Sequence, residues 1–400
     1  NVVDGMFQIL ELSYGDGSVH ITDLNGTGQL QVIGAINIGT GLGGNDATVT
    51  WTNGGIISAD EINVGYSVGD VVTGTLRSDS TTPIQANAVY IGRGAGATGI
   101  LDLTATDSFI LGTSTDRVGS LRLAYDDTNV FNVIATTTAD LDLSLTNPNF
   151  QAFLANDLSI GARTPTSNGG TVNGSLVLGS NSLVDLGTAA APANLNIGAN
   201  LDSNSSSNGF GEANGLFDAT QGTVNANLDE LNVGYSVGGA ATGTLRWDST
   251  TPLAVNTVYI GRGTGATGIL DLTAADSFIL GTSTDRTGSL RLAYDNTDAS
   301  GATGTTTANL NLSLTNPDFQ AFLADDLSIG VRQAGNNGGT VNGSLVLGSN
   351  SLIDLGTATT PANLNIGANL DNDGTGDFGE ATGLFDATQG TVNANLDELN

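Results

Sequence analysis

The strongest constraint on the fold of this chain is a long internal repeat. The octapeptide INVGYSVG begins at Ile62 and returns as LNVGYSVG at Leu231, an offset of 169 residues. DSFILGTSTDR, which begins at Asp107, returns at the same offset, and all ten arginines form five pairs at this distance. Such near-identical tandem copies indicate an array of stacked structural units and argue against separate globular domains.

The repeat divides the chain into three segments. Residues 1–61 carry the degenerate end of a preceding repeat, because INIG, which begins at Ile36, and ADEINVG, which begins at Ala59, echo LNIG at 195–198 and LDELNVG at 228–234. Residues 62–230 form the first copy and residues 231–400 the second. We interpret the whole as a truncated window of a longer array.

A shorter motif recurs within each copy, in which two apolar residues flank one polar residue and glycine often follows. Examples are LSIG at 158–161, LVLG at 176–179 and LNIG at 195–198. The alternation places both apolar side chains on one face of a strand. The closing glycines stand 18 and 19 residues apart, which predicts coils of about 20 residues, eight or nine to each long repeat. The predicted fold is therefore all-β, a parallel β-solenoid (β-helix) of tandem repeats.

Short helical insertions are predicted to interrupt the solenoid. The segment TNPNFQAFL at 146–154 recurs as TNPDFQAFL at 315–323. A capping residue, a proline suited to the first helical position and apolar residues at helical spacing predict two or three helical turns. Its phenylalanine pair is expected to pack on the solenoid wall, and a contact with a neighbouring molecule is the alternative.

The acidity of the chain limits its partners. Forty acidic residues face ten basic ones, so the net charge is −30. Nucleic acids and anionic membranes attract cationic surfaces, and we expect neither as a partner. No apolar stretch approaches the roughly 20 residues of a membrane helix, so no membrane insertion of this segment is expected. The absence of cysteine excludes disulfides and thiolate chemistry.

Catalytic motifs find little support, and the chain is not expected to be an enzyme. His20 is the only histidine and lies outside the repeat, so a catalytic triad or histidine metal site would not recur along the array. The segment GRGAGATG at 92–99 matches a dinucleotide-binding pattern, but strand-like ILDL follows where that motif requires a helix. A solenoid turn is the favoured interpretation. Abundant carboxylates leave a polysaccharide-degrading β-helix as the least favoured alternative.

One loop is a candidate calcium site. Asp371, Asp373 and Asp377 alternate with asparagine, threonine and glycine in DNDGTGD, an arrangement that can offer oxygen ligands to calcium. The twelfth position holds Thr382, where an EF-hand needs a bidentate carboxylate. A solvated variable loop is the competing interpretation. Calcium is the only cofactor considered, and no catalytic or cofactor-binding residue is assigned.

Arginine and tryptophan offer two further candidates for surface contacts. Arg122 and Arg291 occupy outward positions on short strands. We expect them to balance acidic neighbours on adjacent coils, such as Asp102 and Asp142, and a ligand-binding ladder is the alternative. Trp247 replaces a serine of the first copy, and as an exposed aromatic it would offer a weak stacking surface for sugars.

The density of G-[ST]-L-x-L and L-x-I-G units, such as GSLVL at 174–178, resembles the β-helical repeat regions of large bacterial surface proteins. These are the autotransporter passengers and the filamentous-haemagglutinin-like adhesins. The resemblance implies secretion to the cell surface or extracellular space, and adhesion or self-association into fibres. We expect a non-catalytic structural repeat protein that forms the rod of a filament or surface adhesin. A carbohydrate- or calcium-binding β-helix of the cell surface or matrix is the alternative.

Overall fold

The computed structural model contains β-strands and no helix in the residues that it describes. Those residues are 5–7, 10–11, 19–21, 29–40, 46–52, 55–104, 106–128, 134–164, 169–201, 211–273, 277–297, 304–333, 339–370 and 379–400. The residue-by-residue strand pairs between neighbouring coils are parallel. The prediction of a parallel β-solenoid is therefore confirmed.

The described residues form 31 strands. In chain order they are β1 Gly5–Phe7, β2 Leu10–Glu11, β3 Val19–Ile21, β4 Gln29–Thr40, β5 Ala47–Thr52, β6 Ile56–Tyr66, β7 Val72–Asp79, β8 Ile84–Arg93, β9 Ala97–Asp102, β10 Ser108–Leu111, β11 Val118–Asp126, β12 Thr136–Asp142, β13 Asn149–Arg163, β14 Thr171–Val177, β15 Leu183–Leu186, β16 Ala193–Asn200, β17 Glu212–Ala219, β18 Thr223–Ser236, β19 Ala240–Trp247, β20 Ser249–Arg262, β21 Ala266–Asp271, β22 Ser277–Leu280, β23 Thr287–Asp295, β24 Thr305–Asn311, β25 Asp318–Arg332, β26 Thr340–Val346, β27 Leu352–Leu355, β28 Ala362–Ile366, β29 Glu380–Asp386, β30 Thr391–Ala394 and β31 Leu396–Leu399.

The chain forms two compact units. The first comprises residues 1–193, 206–209 and 221–225, and the second comprises residues 194–205, 210–220 and 226–400. Both units have three walls, each made of one strand per coil. In the second unit, wall A contains β23, β28, β31 and the C-terminal halves of β18, β20 and β25. Wall B contains β17, β19, β21, β24, β26 and β29. Wall C contains β22, β27, β30 and the N-terminal halves of β20 and β25.

The coils are longer than the sequence motif predicted. On wall A of the second unit, successive parallel partners are Leu231, Val258, Leu290, Leu327, Leu364 and Leu399. The coils between them therefore take 27, 32, 37, 37 and 35 residues. Five coils, and not eight or nine, make up the long repeat. The prediction was wrong because the apolar motif occurs on more than one wall of each coil, so its spacing counts strands and not coils.

The core consists of columns of apolar side chains. On wall A of the first unit, the stacked column is Ile36, Ile62, Val89, Leu121 and Leu158. All five are almost completely buried. Burying one such side chain contributes about 1.5–3 kcal/mol, and each needs a neighbouring coil on both sides to become buried. Stacking is therefore the source of stability, as in other repeat proteins.

Wall A ends at a tight corner in each coil. Gly65 and Gly92 have positive φ angles of 74° and 73°, and Ala124 occupies the same corner with a φ of 48°. A Cβ atom on Gly65 would lie 2.3 Å from the carbonyl oxygen of Thr98. Glycine therefore ends most of these apolar motifs for two reasons. The corner needs a left-handed backbone conformation, and the backbone lies too close to the next wall for a side chain.

The predicted helical insertions are absent from the described residues. Residues 149–154 belong to strand β13, and their counterparts begin strand β25. Phe150, Ala152 and Leu154 are buried in alternation, and Phe150 stacks on Phe109 of the preceding coil with ring centroids 6.1 Å apart. The prediction was wrong because the strands on both sides of this segment supply hydrogen-bond partners for its backbone. A helix at this position would lose those partners. Asn147, with a φ of 49°, directs the chain into this strand.

Candidate functional site: the arginine ladder of wall A

Polar side chains on the outer face of wall A form a ladder across the coils of the first unit. Strand alternation turns them away from the core, and in-register pairing stacks them in one column. The column reads Asn37, Asn63, Tyr90, Arg122 and Ser159. Asn63 donates a hydrogen bond from Nδ2 to Oδ1 of Asn37 over 2.8 Å, so the column begins with an asparagine rung.

Arg93 joins three coils. Its guanidinium pairs with Glu61 at 2.6 Å on the coil before and with Asp127 at 2.8 Å on the coil after. The same guanidinium lies 4.1 Å from the ring centroid of Tyr90 and 5.5 Å from that of Tyr66. Charge pairing and cation–π stacking therefore act on one group, a use for which the planar arginine side chain is suited.

Arg122 forms the next rung. It donates from Nε and Nη2 to the two carboxylate oxygens of Asp157, each over 3.0 Å, and from Nη1 to the hydroxyl of Tyr90 over 3.0 Å. Its guanidinium also lies 4.6 Å from the ring centroid of Tyr125. The expectation of charge balance is confirmed, but the predicted partners Asp102 and Asp142 are wrong. Both acids lie in β9 and β12, which pair with each other, whereas Arg122 lies in β11, which pairs with β8 and β13, because consecutive apolar motifs belong to different walls.

Burial shapes the ionisation of this ladder. Burial raises the pKa of Tyr125 to about 12, although the positive charge of Arg122 acts in the opposite direction. Burial alone would lower the pKa of Arg122, but its hydrogen bonds to Asp157 raise that pKa above its ordinary value. Tyr125 therefore stays neutral and Arg122 charged at physiological pH.

The second unit contains a second ladder of the same kind. Arg262 pairs with Glu230 at 2.8 Å and stacks on Tyr235 and Tyr259 with centroid distances of 4.5 and 4.1 Å. Arg291 pairs with Asp326 at 3.0 Å and donates to the Tyr259 hydroxyl over 2.8 Å. Both units thus build the bond to the preceding glutamate, the tyrosine stacking and the arginine–aspartate rung from the same repeat positions.

Most other arginines also connect coils. Arg246 on wall B binds Asp218 at 3.3 Å on the coil before and Asp271 at 3.0 Å on the coil after. The remaining described ion pairs are Arg77–Asp107, Arg117–Asp185, Arg163–Asp126 and Arg286–Asp354. The guanidinium of Arg163 is fully buried. In this acidic chain, arginine therefore acts mainly as a bridge between coils.

The sequence-predicted sites have different outcomes. Asp371, Asp373 and Asp377 lie outside the described residues, and the described part contains no group of three or more His, Cys, Asp or Glu placed to hold a metal.

Residues 92–99 form a turn and the start of strand β9, as the solenoid interpretation expects. Trp247 is not exposed, because it points into the core between Phe217 and Phe278 with centroid distances of 6.5 and 6.3 Å.

The tyrosines of the ladder were not singled out from the sequence. Six of the seven tyrosines form three pairs at the 169-residue offset, as the arginines do. This shared periodicity was the signal that could have found them. Their contact with arginine could not be read from it, because partners such as Tyr90 and Arg122 are separated by one coil of variable length.

Comparisons with known proteins give no relative from which a function could be transferred. No protein-family model matches the chain, and no curated protein or solved structure matches it significantly. Across the residues described above, no helix is long and apolar enough to span a membrane.

Proposed function

We propose that this chain is a non-catalytic structural repeat protein that forms the rod of a bacterial extracellular filament or surface adhesin. The observation that carries the proposal is the use of arginine. Nine of the ten arginines have described side-chain bonds to carboxylates, and eight of those nine recur as pairs in both copies of the repeat. These ion pairs thus stabilise the stacking of coils.

The energetics favour this structural role. A net charge of −30 opposes compaction, and the arginines that pair with acids of neighbouring coils offset part of that repulsion. An exposed ion pair contributes only about 0–1 kcal/mol. Arg93 and Arg122 are mostly shielded from solvent and hold several partners at once, so their contacts contribute more. Duplication of the repeat adds coils with the same bonds and introduces no new chemical group.

The location and partners follow from the same interpretation. The extracellular or cell-surface location is supported by the resemblance in motif style to bacterial surface proteins. Partners would be further copies of the chain or other surface molecules, and the negative charge would keep the rods soluble.

Immunogold electron microscopy of the native source, with antibodies against the recombinant chain, tests this proposal. We expect gold label on extracellular filaments or on the cell envelope. Label confined to the cell interior would contradict it. Glycan-array screening and calcium calorimetry on the same preparation test the alternative, because specific binding in either assay would assign a receptor function.

A further inference from the structure

The corner where wall B passes into wall C carries an exposed leucine in both units. Leu145 lies in the turn that follows β12 and is 89% exposed, and its counterpart Leu314 follows β24 and is 86% exposed. Leu143, two residues before Leu145, is buried in the core. A leucine as exposed as Leu145 or Leu314 adds little to the stability of its own unit.

The turn that presents Leu145 is held in place by the next coil. Asn147, with its left-handed φ of 49°, donates from Nδ2 to Oγ of Ser180 over 2.8 Å. The backbone N–H of Asn181 donates to Oδ1 of Asn147 over 2.8 Å, and Nδ2 of Asn181 donates to the Asn147 carbonyl oxygen over 3.0 Å. The second unit repeats these bonds with Asn316, Ser349 and Asn350. A turn fixed in this way lowers the entropic cost of placing its leucine in a contact.

Partly exposed apolar side chains lie on the outer face of the adjoining wall C. In the first unit this wall consists of β10, β15 and the N-terminal halves of β8 and β13. In-register pairing places Ile110, Gln151 and Leu183 in one column, and Phe153 follows on the same face of β13. The second unit has the same set at Ile279, Gln320, Leu352 and Phe322. Exposed apolar side chains grouped on one face are a common mark of an interaction site.

Wall C carries less negative charge than wall B. In the first unit its strand segments contain one charged residue, Asp185. Arg117 pairs with that carboxylate at 2.7 Å and donates to the Asp185 carbonyl oxygen over 3.0 Å. Wall B of the same unit includes Asp140 and Asp142, and neither forms an ion pair with another described residue. The wall C segments of the first unit therefore carry no unpaired charge.

Charge and periodicity select a second copy of this chain as the partner. Two chains with a net charge of −30 repel each other, so they approach best through a face whose acids are few and paired. In the second unit, wall C contains Asp318 and Asp354, and Arg286 pairs with Asp354 at 2.9 Å. The whole set of apolar side chains also recurs at the 169-residue offset. A partner that uses it in both units needs a matching repeat, and a second copy supplies one.

We propose that the outer face of wall C binds the same face of a second copy of this chain in an isologous contact. Leu145 and Leu314 pack against the partly exposed phenylalanine, isoleucine and leucine side chains of the second copy. This contact names the surface through which rods associate side by side, and its biological meaning rests on the proposed function.

Sedimentation velocity of the full chain across a concentration series tests the contact. We expect reversible self-association that added salt strengthens, because salt screens the repulsion between acidic chains. The double variant Leu145→Ser with Leu314→Ser should raise the dissociation constant on the order of tenfold or more, since it truncates the central apolar contacts. The matched control Val71→Ser with Ile134→Ser removes side chains that are 78% and 72% exposed just before strands of wall B. It should leave the constant within about twofold.

Cysteine cross-linking locates the contact independently of the leucines. The chain contains no cysteine, so a single introduced thiol is unique. Gln151→Cys places it on the outer face of wall C, and Ser175→Cys is the matched, equally partly exposed position on wall B. A short bis-maleimide should link two chains of the Gln151→Cys variant and leave the Ser175→Cys variant unlinked.

Four results would overturn the proposal. They are a chain that stays monomeric at low and high salt, equal association of the leucine variant and its control, and cross-linking of Ser175→Cys as fast as that of Gln151→Cys. The fourth is a monomeric chain that binds phosphatidylcholine vesicles through the two leucines, which would assign the face to lipid. Immunogold labelling does not depend on self-association, so failure of the contact and failure of the rod function are distinguishable.

Discussion

The two ladders of wall A differ at one position that has a direct electrostatic effect. In the first unit Arg93 pairs with Asp127 at 2.8 Å, whereas in the second unit Arg262 meets Asn296, with Nε 3.4 Å from the amide oxygen. The bond to the preceding coil is kept in both, through Glu61 and Glu230. Within the described residues, the second ladder keeps the tyrosine stacking and the ion pair to the preceding coil, and an amide contact stands in place of the second ion pair.

The two cores differ by the position of one tryptophan. In the first unit Trp51 pairs in register with Ser78 of the next coil, and in the second unit Ala219 pairs with Trp247. Each pair has one large and one small side chain. The large one comes first along the chain in the first unit and second in the second unit. The core thus conserves the volume of neighbouring coils and not the identity of each position.

The largest expected effect comes from removing the second tryptophan. Trp247→Ser leaves a void beside Phe217 and Phe278 and should lower the free energy of unfolding of the second unit by about 3–5 kcal/mol. Denaturation followed by hydrogen exchange in β19–β22 measures it. The double variant Ala219→Trp with Trp247→Ser restores the order of the first unit and should recover most of the loss. Absence of any recovery would refute volume compensation.

The next effect concerns the arginine rung. Arg122→Gln leaves Asp157 with a partly buried charge and no guanidinium, so we expect a loss of about 1–3 kcal/mol in the first unit. Arg122→Lys keeps the charge but not the planar fork and should recover only part of it. Arg291→Gln is the matched variant in the second unit. Hydrogen exchange at increasing denaturant, resolved by peptide, reports each unit separately. An Arg122→Gln variant with unchanged stability would contradict the structural role of the ladder.

Alkaline titration tests whether both ladders bury their tyrosines equally. Burial raises the pKa of Tyr125 and of Tyr294 to about 12 from the ordinary value of 10.0. Because the folded pKa is the higher one, the stabilisation is fully present below pH 10 and is lost as the pH rises from about 10 to 12. Tyrosinate absorbance and unfolding should therefore both change in this window. The difference between the parent chain and the variants Tyr125→Phe and Tyr294→Phe isolates the titration of each hydroxyl. A difference centred near pH 10 would show that neither tyrosine is shielded.

The smallest effect comes from exchanging the differing ladder residue. Asn296→Asp gives Arg262 the carboxylate that Arg93 has, and should stabilise the second unit by about 0.5–1 kcal/mol at low salt, with a smaller gain at high salt. Asp127→Asn should do the reverse in the first unit. Thermal unfolding at two ionic strengths measures both. A gain independent of salt would point to a non-electrostatic cause.

The sequence was informative about strands and much less about their partners. The alternation in INVG at 62–65 correctly gave the buried face of a strand, and the 169-residue offset gave the array. The same alternation in FQAFL at 150–154 was interpreted as a helix, because two phenylalanines also fit helical spacing. Only the strands on either side of β13 decide between the two.

By itself the sequence determined the parallel solenoid, the tandem copies and the use of apolar motifs as strand cores, because side-chain alternation is a local property of the backbone. The tertiary structure decided the five-coil repeat, the burial of Trp247 and the pairing of Arg122 with Asp157. These depend on which wall each strand joins. Loops of different lengths set the coils at 27 to 37 residues, so residues that stack in space have no fixed separation along the chain.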